Sequence, residues 1–162
     1  MGGKSTGPNP TDRAKSGTKR SLLVDDGQDI PIGITVDCAN RHDMMKMTSG
    51  TLQSLAICRP ESTLKTHQHN MCLDKGYDFP EVYELLEDYG YIIHIRKRGE
   101  CNYKLIPRYR RTRRRWVVER THSWMNRFRR LLIRWEKRVD NYVAILHFAC
   151  ALITYKRCRL FG

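Results

Sequence analysis

Apolar positions along this chain recur with more than one period. Two short apolar runs, Ser21 to Val24 and Ile30 to Val36, flank the polar stretch Asp25-Asp26-Gly27-Gln28-Asp29. The second run is β-branched and alternates around Gly33, so the pattern predicts a β-hairpin turning at Asp26-Gly27, with Pro31 at a first or edge position. Asp37 to Asp43 closes that strand, and a helix is expected from about Met44 to Ala56 with Asp43 as its N-cap. That cap accounts for Asp43, so the neighbouring Arg41 and His42 need no catalytic explanation. A polar loop, Cys58 to Asn70, comes next.

The apolar run Met71-Cys72-Leu73 ends in Asp74 and is followed by Lys75-Gly76-Tyr77-Asp78. A helix then opens at Phe79-Pro80-Glu81, with Pro80 in the first turn and Glu81 favourable to the helix dipole, and stops at Gly90. Tyr91 to Ile95 reads as the next strand. Strand, turn, helix and strand make a βαβ unit, in which functional groups gather at the carboxyl ends of the strands. Asp74 stands at such an end, although an Asp starting a turn before Gly also has a purely local use.

The stretch Arg108 to Arg138 reads RYRRTRRRWVVERTHSWMNRFRRLLIRWEKR. At about 100° per residue, Val117, Trp124, Phe128, Leu131 and Trp135 fall on one side of a single helix, as an apolar stripe facing a core would. Glu119 lies nearly opposite and shares its face with Arg115, His122 and Asn126. A carboxylate so placed can hold a metal ion beside DNA, or can simply pair with Arg115 or Arg120 on a solvated face. Asp140 is a candidate cap for a last helix, Asn141 to about Lys156. Its apolar residues cover most of its circumference, so it should be buried.

Charge sharpens this picture. The stretch Arg108 to Arg138 holds thirteen Lys/Arg against two acids, Glu119 and Glu136, which is +11 of the chain's formal +13. With a pI near 9.8 and the charge clustered, the chain has the electrostatic footprint of a nucleic-acid binder, with membrane surfaces as runner-up. No stretch reaches 18 apolar residues, and the N-terminus MGGKSTGPNP has no apolar core of a signal peptide. At 162 residues the chain suits one domain: a basic, Gly/Pro-rich extended segment at 1–19, able to lie along phosphates, then a folded part at 20–162. Six cysteines (Cys38, Cys58, Cys72, Cys101, Cys150 and Cys158) lack C-x-x-C pairing and read as reduced, mostly buried thiols of a cytosolic protein. His67, His69 and Cys72 lack a second cluster of matching spacing, which argues against zinc.

Cutting and rejoining phosphodiesters with two divalent metals needs several carboxylates drawn from separate elements. Asp74 and Glu119 are the candidates, each near cations able to hold phosphate. At these residues the chain resembles a known family. LDKGYD at 73–78 and RWVVERTHSWMNRFRRLLIRWEKR at 115–138 look like the second and third carboxylate motifs of DDE transposases of bacterial insertion sequences, in the branch where an Arg, here Arg115, precedes the Glu by four. Residues 7–43 are similar to the segment after that family's first motif. The resemblance implies an α/β fold: a ribonuclease H-like mixed sheet flanked by helices, lacking its first strand. It also implies Mg²⁺ (or Mn²⁺) held by Asp74 and Glu119 as metal ligands and catalytic groups. The partner implied is double-stranded DNA, both terminal inverted repeats and target. Lys15, Lys19, Arg20, Arg115, Arg120, Arg127, Arg129, Arg130 and Arg134 are the candidate DNA contacts, in a cytoplasmic, nucleoid-associated protein able to form a homodimer.

The departures from the family pattern matter as much. The family's first catalytic Asp ends a strand just upstream of the Gly-rich stretch, and here Met1 is followed at once by Gly2-Gly3. The resemblance therefore implies two of three catalytic carboxylates. On that expectation the chain is a decayed remnant, or a second reading frame working with an upstream-frame polypeptide, and is inactive alone. Asp12, Asp25 and Asp37 have turn or strand-end explanations and are poor replacements. The family's basic residue seven after the Glu is Asn126 here, with Arg127 beside it. The rival from another class is a non-catalytic basic nucleic-acid-binding protein, in which Asp74 is incidental.

Overall fold

The structure is a computed structural model and describes residues 5–9, 13, 15–40, 44–55, 69–95 and 111–158, without the side chains of 44–47 and 111–115. It forms two compact units: Met1–Ala56 with Val117–Gly162, and Ile57–Trp116. The architecture is mixed α/β.

In the first unit, β1 (Gly7–Pro8), β2 (Ser16–Val24) and β3 (Pro31–Cys38) form an antiparallel sheet in the order β1-β2-β3. The expected hairpin is present, with Leu22 opposite Ile34 and Val24 opposite Pro31. Its turn is wider than Asp26-Gly27. Asp25 Oδ2 accepts from the backbone N–H of Gly27 and Gln28 at 3.1 and 3.0 Å, the Asp25 N–H donates to Ile30 O, and Asp29 takes the left-handed conformation with φ 61°. An Asp side chain that caps its own turn in this way allows a loop that a two-residue turn would not. The extended segment expected at 1–19 is partly sheet: β1 pairs with Gly17 and Ser16, and β2 begins inside it.

Helix α1 (Met44–Gln53) crosses β3; its expected cap Asp43, with Arg41 and His42, lies outside the described residues. The close approach depends on Gly33, where a Cβ would stand 2.8 Å from Thr51 O. Ser54 Oγ fastens the contact by accepting from Ile34 N–H and donating to Thr51 O.

The basic stretch is not one helix. Helix α3 (Arg111–Asn126) ends, α4 (Arg129–Leu132) restarts after Phe128, and α5 (Val139–Cys158) follows a connector without regular structure. Helix α3 buries Val117, Thr121 and Met125, a face rotated from the expected stripe, and Thr121 Oγ1 donates to Val117 O. In a continuous helix Met125 and Leu131 would point about 120° apart. The break lets both enter one core with Ile34, Tyr142, Leu146, Ala149, Cys150 and Ile153. Trp135, expected in the stripe, lies beyond the break and is exposed. Helix α5 starts at Val139, so Asp140 sits in its first turn instead of capping it. Helix α5 is buried against the core through Tyr142, Leu146, Ala149, Cys150 and Ile153, as expected, although apolar Phe148 and Tyr155 on its other side are exposed.

The second unit is the expected βαβ. Strands β4 (His69–Leu73) and β5 (Tyr91–Ile95) are parallel, His69 opposite Tyr91 and Leu73 opposite Ile95. Between them α2 (Pro80–Asp88) carries Pro80 in its first turn, and Gly90 ends the turn after it with φ 71°. Val82 and Leu86 are fully buried, alongside Met71, Tyr91 and Ile95 in the core of this unit. The strand starts two residues earlier than expected, which takes His69 and Asn70 out of the predicted loop.

One carboxylate joins three elements of the first unit. Asp29, 3% exposed, forms ion pairs with Arg120 of α3 and Arg157 of α5, and Arg157 Nε also donates to Gln28 O at 3.0 Å. Both guanidinium groups lie over the Trp124 ring, 5.4 and 5.2 Å from its centroid. Removing the carboxylate strands two partly desolvated cations against an aromatic ring. Asp29→Ala should therefore cost about 3 kcal/mol in denaturant unfolding, whereas a loss below about 0.5 kcal/mol, the usual surface value, would show that the cluster is dispensable.

Candidate nucleic-acid interface and carboxylates

Asp74 follows directly on β4, at the carboxyl end of a parallel strand. It is exposed and N-caps the 3₁₀ turn Lys75–Tyr77, its Oδ1 accepting from Lys75 N–H at 2.9 Å. The turn thus fixes the carboxylate's direction. Asp78 accepts from the Tyr83 hydroxyl at 3.2 Å.

Glu119 is exposed on α3, on the side away from Val117, Thr121 and Met125. On its face, Asn126 Oδ1 accepts from Arg20 of β2 at 2.9 Å, which ties the end of α3 to the sheet. His122 is partly buried, and its pKa lies below the usual value, first because burial penalises the cation and second because Arg20 is near. The imidazole is therefore neutral at physiological pH. Asp74 and Glu119 belong to different compact units.

The candidate cations divide into two groups. Arg127, Arg129 and Arg130 are exposed. Arg134 instead donates to Thr18 Oγ1 at 2.8 Å, Ser5 O at 3.3 Å and Glu136 O at 3.0 Å, and lies 5.0 Å from the Tyr142 ring centroid. Arg120 is engaged by Asp29 and Trp124, and Arg20 by Asn126. Lys15 is exposed, Lys19 is half-buried in β2, and the Arg115 side chain lies outside the described residues. Nothing in residue type separates the two groups; the short α4 and its connector do so by turning Arg134 inward.

Other carboxylates and thiols have local uses. Asp25 caps its turn, and Asp37 Oδ1 accepts from Cys38 N–H at 2.7 Å; Asp12 lies outside the described residues. Cys150 is buried, and burial pushes its thiol up to about 11. Cys72, expected to be buried, is exposed, because Met71 takes the inward position of β4. His67, Cys58 and Cys101 lie outside the described residues. Among the described residues no group of three or more His, Cys, Asp or Glu is gathered as a metal cluster. Asp74 and Glu119 do offer the hard oxygen donors that Mg²⁺ takes, and this ion keeps water and substrate oxygens as its other ligands. No helix among the described residues is long and apolar enough to cross a membrane.

An exposed carboxylate at a parallel strand end and another on an arginine-rich helix are features of proteins that process nucleic acid. The family model described as "Transposase DDE domain" matches residues 2–154, and the chain belongs to this family of metal-dependent enzymes that cleave and transfer DNA strands. It is also similar to the transposase assigned to insertion sequence element IS402 of Burkholderia cepacia: 35% identical over 158 residues, covering 95% of this chain and 70% of the relative. No solved structure matches.

His122 yields a pH test. Its folded pKa is depressed below 6.5, so below that pH the unfolded chain binds more protons than the folded one, and stability falls as pH drops through the window beneath 6.5. The melting temperature should decline as pH falls from about 7 to about 5, and His122→Gln should flatten that decline. An unchanged decline in the variant would show that His122 does not carry it.

Proposed function

We propose that the chain acts in DNA transposition of an insertion sequence, with Asp74 and Glu119 as two of its catalytic carboxylates on a ribonuclease H-like fold. The observation that carries this reading is that Glu119 stays solvent-facing on an arginine-rich helix while the neighbouring Arg120 is held by Asp29 and Trp124. Packing thus leaves the carboxylate on the open side of the helix.

Asp74 and Glu119 would hold the Mg²⁺ or Mn²⁺ on which the family's chemistry depends; bound there, the ion would stabilise charge on the scissile phosphate and acidify the attacking water or hydroxyl. The chain's own groups have separable tasks. The exposed Arg127, Arg129 and Arg130 would bind backbone phosphates of the inverted repeats and target duplex. The Asp74 turn would hold its carboxylate in one orientation. Neutral His122 would add no charge beside Glu119. Action on DNA would place the protein in the cytoplasm with the nucleoid, and a homodimer would let two copies hold two element ends.

The test is a transposition assay in cells, using a donor that retains this coding region with its native flanking DNA. Asp74→Asn and Glu119→Gln should each lower transposition by at least about a hundredfold, the scale for losing one group that stabilises transition-state charge. Both purified variants should keep their DNA affinity. Transposition near the unaltered level in either variant would remove that residue from the site, and full activity in both would leave a basic binder with incidental acids.

A further inference from the structure

The connector between α4 and α5 is built inside out. From Leu132, the last residue of α4, into the connector, Leu132, Ile133 and Trp135 are 60%, 52% and 58% exposed, while the charged Arg134 and Glu136 on either side of Trp135 are half-buried. Packing alone predicts the opposite, because burying a charge is costly and burying Trp and Ile is favourable. Scattered exposed apolar residues are ordinary. An alternation that turns the charges inward is not.

The inward side also shows why the arrangement persists. Arg134 is held by Thr18 Oγ1, Ser5 O, Glu136 O and the Tyr142 ring. Its anchoring fixes the backbone on both sides of it, so Ile133 and Trp135 are presented from a tethered segment. The exposed cations Arg127, Arg129, Arg130 and Lys137 flank this ridge in the sequence.

Charge decides what could cover such a ridge. A second copy of this chain would bring the same cations to the contact, which opposes pairing. DNA brings phosphates for the cations. The apolar residues carry no donors suited to base edges beyond one indole N–H, but an aromatic face matches the face of a base, which becomes accessible where stacking is broken.

We propose that Leu132, Ile133 and Trp135 form a wedge that packs against unpaired or unstacked bases, with Trp135 as the stacking residue, while the flanking cations hold the backbone. This rests on the reading of the chain as a DNA-processing protein and adds a preference for opened DNA. Partial opening of a duplex near the cleavage point would then be stabilised by the protein itself.

Binding is compared for a blunt duplex of mixed sequence and the same duplex with one end mismatched. The unaltered chain should bind the opened DNA about tenfold more tightly, within the range of one base–aromatic stack. Trp135→Ala should bring the ratio close to one while leaving blunt-duplex affinity within about twofold, and Trp135→Phe should keep part of the preference. Because Trp135 is exposed, its removal should not lower the melting temperature, which is measured alongside. Equal affinity of the unaltered chain for both DNAs, or a ratio unchanged in Trp135→Ala, overturns the wedge while DNA binding stands. So does a shift in sedimentation of Trp135→Ala with the ratio unchanged, which would assign the ridge to self-association. Failure to bind either DNA overturns the DNA reading itself, and the wedge with it.

Discussion

A chain with thirteen basic residues in one stretch cannot fold around that stretch unless some of the charge is compensated inside. Asp29 compensates one cation of that stretch, Arg120, together with Arg157 of the last helix. It is nearly fully buried, takes a left-handed backbone conformation, and meets Arg120 and Arg157 from two different helices, with both guanidinium groups over Trp124. Isolated burial of any of these charges would be unfavourable; paired with one another on an aromatic surface, they offset part of each other's desolvation. The hairpin turn, α3 and α5 are thereby held to one another, and the apolar core from Ile34 to Ile153 forms beneath them.

From that constraint follows a division among the arginines. Arg20, Arg120, Arg134 and Arg157 are engaged by partners within the first unit, whereas Arg127, Arg129 and Arg130 face solvent. In a DDE transposase both jobs are needed. A catalytic carboxylate must be presented in a fixed direction, and the DNA must be held by charges that do not also hold the fold. Glu119 and Arg120 are adjacent in sequence and face different surroundings, one solvent and the other Asp29.

Much of this architecture was legible from sequence because it follows from local rules. The βαβ unit, with Pro80 opening its helix, Gly90 closing it and Asp74 after the strand, came from turn and cap chemistry. The hairpin came from alternation. The helical breaks after Asn126 and Leu132 were not legible, since no Gly or Pro marks them; what breaks the helix is the demand that Met125 and Leu131 share one core. The same demand rotated the buried face of α3 and left Trp135 outside. Asp29 read as one more turn residue, because a buried ion pair spanning more than ninety positions leaves no local pattern. A hint existed in Arg157 at the end of an otherwise apolar helix, although a basic residue in a last turn has an ordinary dipole explanation. As for the site, motif resemblance singled out Asp74 and Glu119, but residue type could not separate the exposed arginines from those engaged within the first unit.

The division of the arginines is tested most directly by measuring duplex binding and thermal stability together for two sets of variants. Replacing Arg127, Arg129 and Arg130 by Gln should reduce the magnitude of the log–log salt slope by up to about three, close to one per phosphate contact, with an unchanged melting temperature. Arg134→Gln or Arg157→Gln should lower the melting temperature by several degrees and leave the slope in place. A slope that falls equally for the inward variants, or that survives loss of the three outward arginines, would contradict the account.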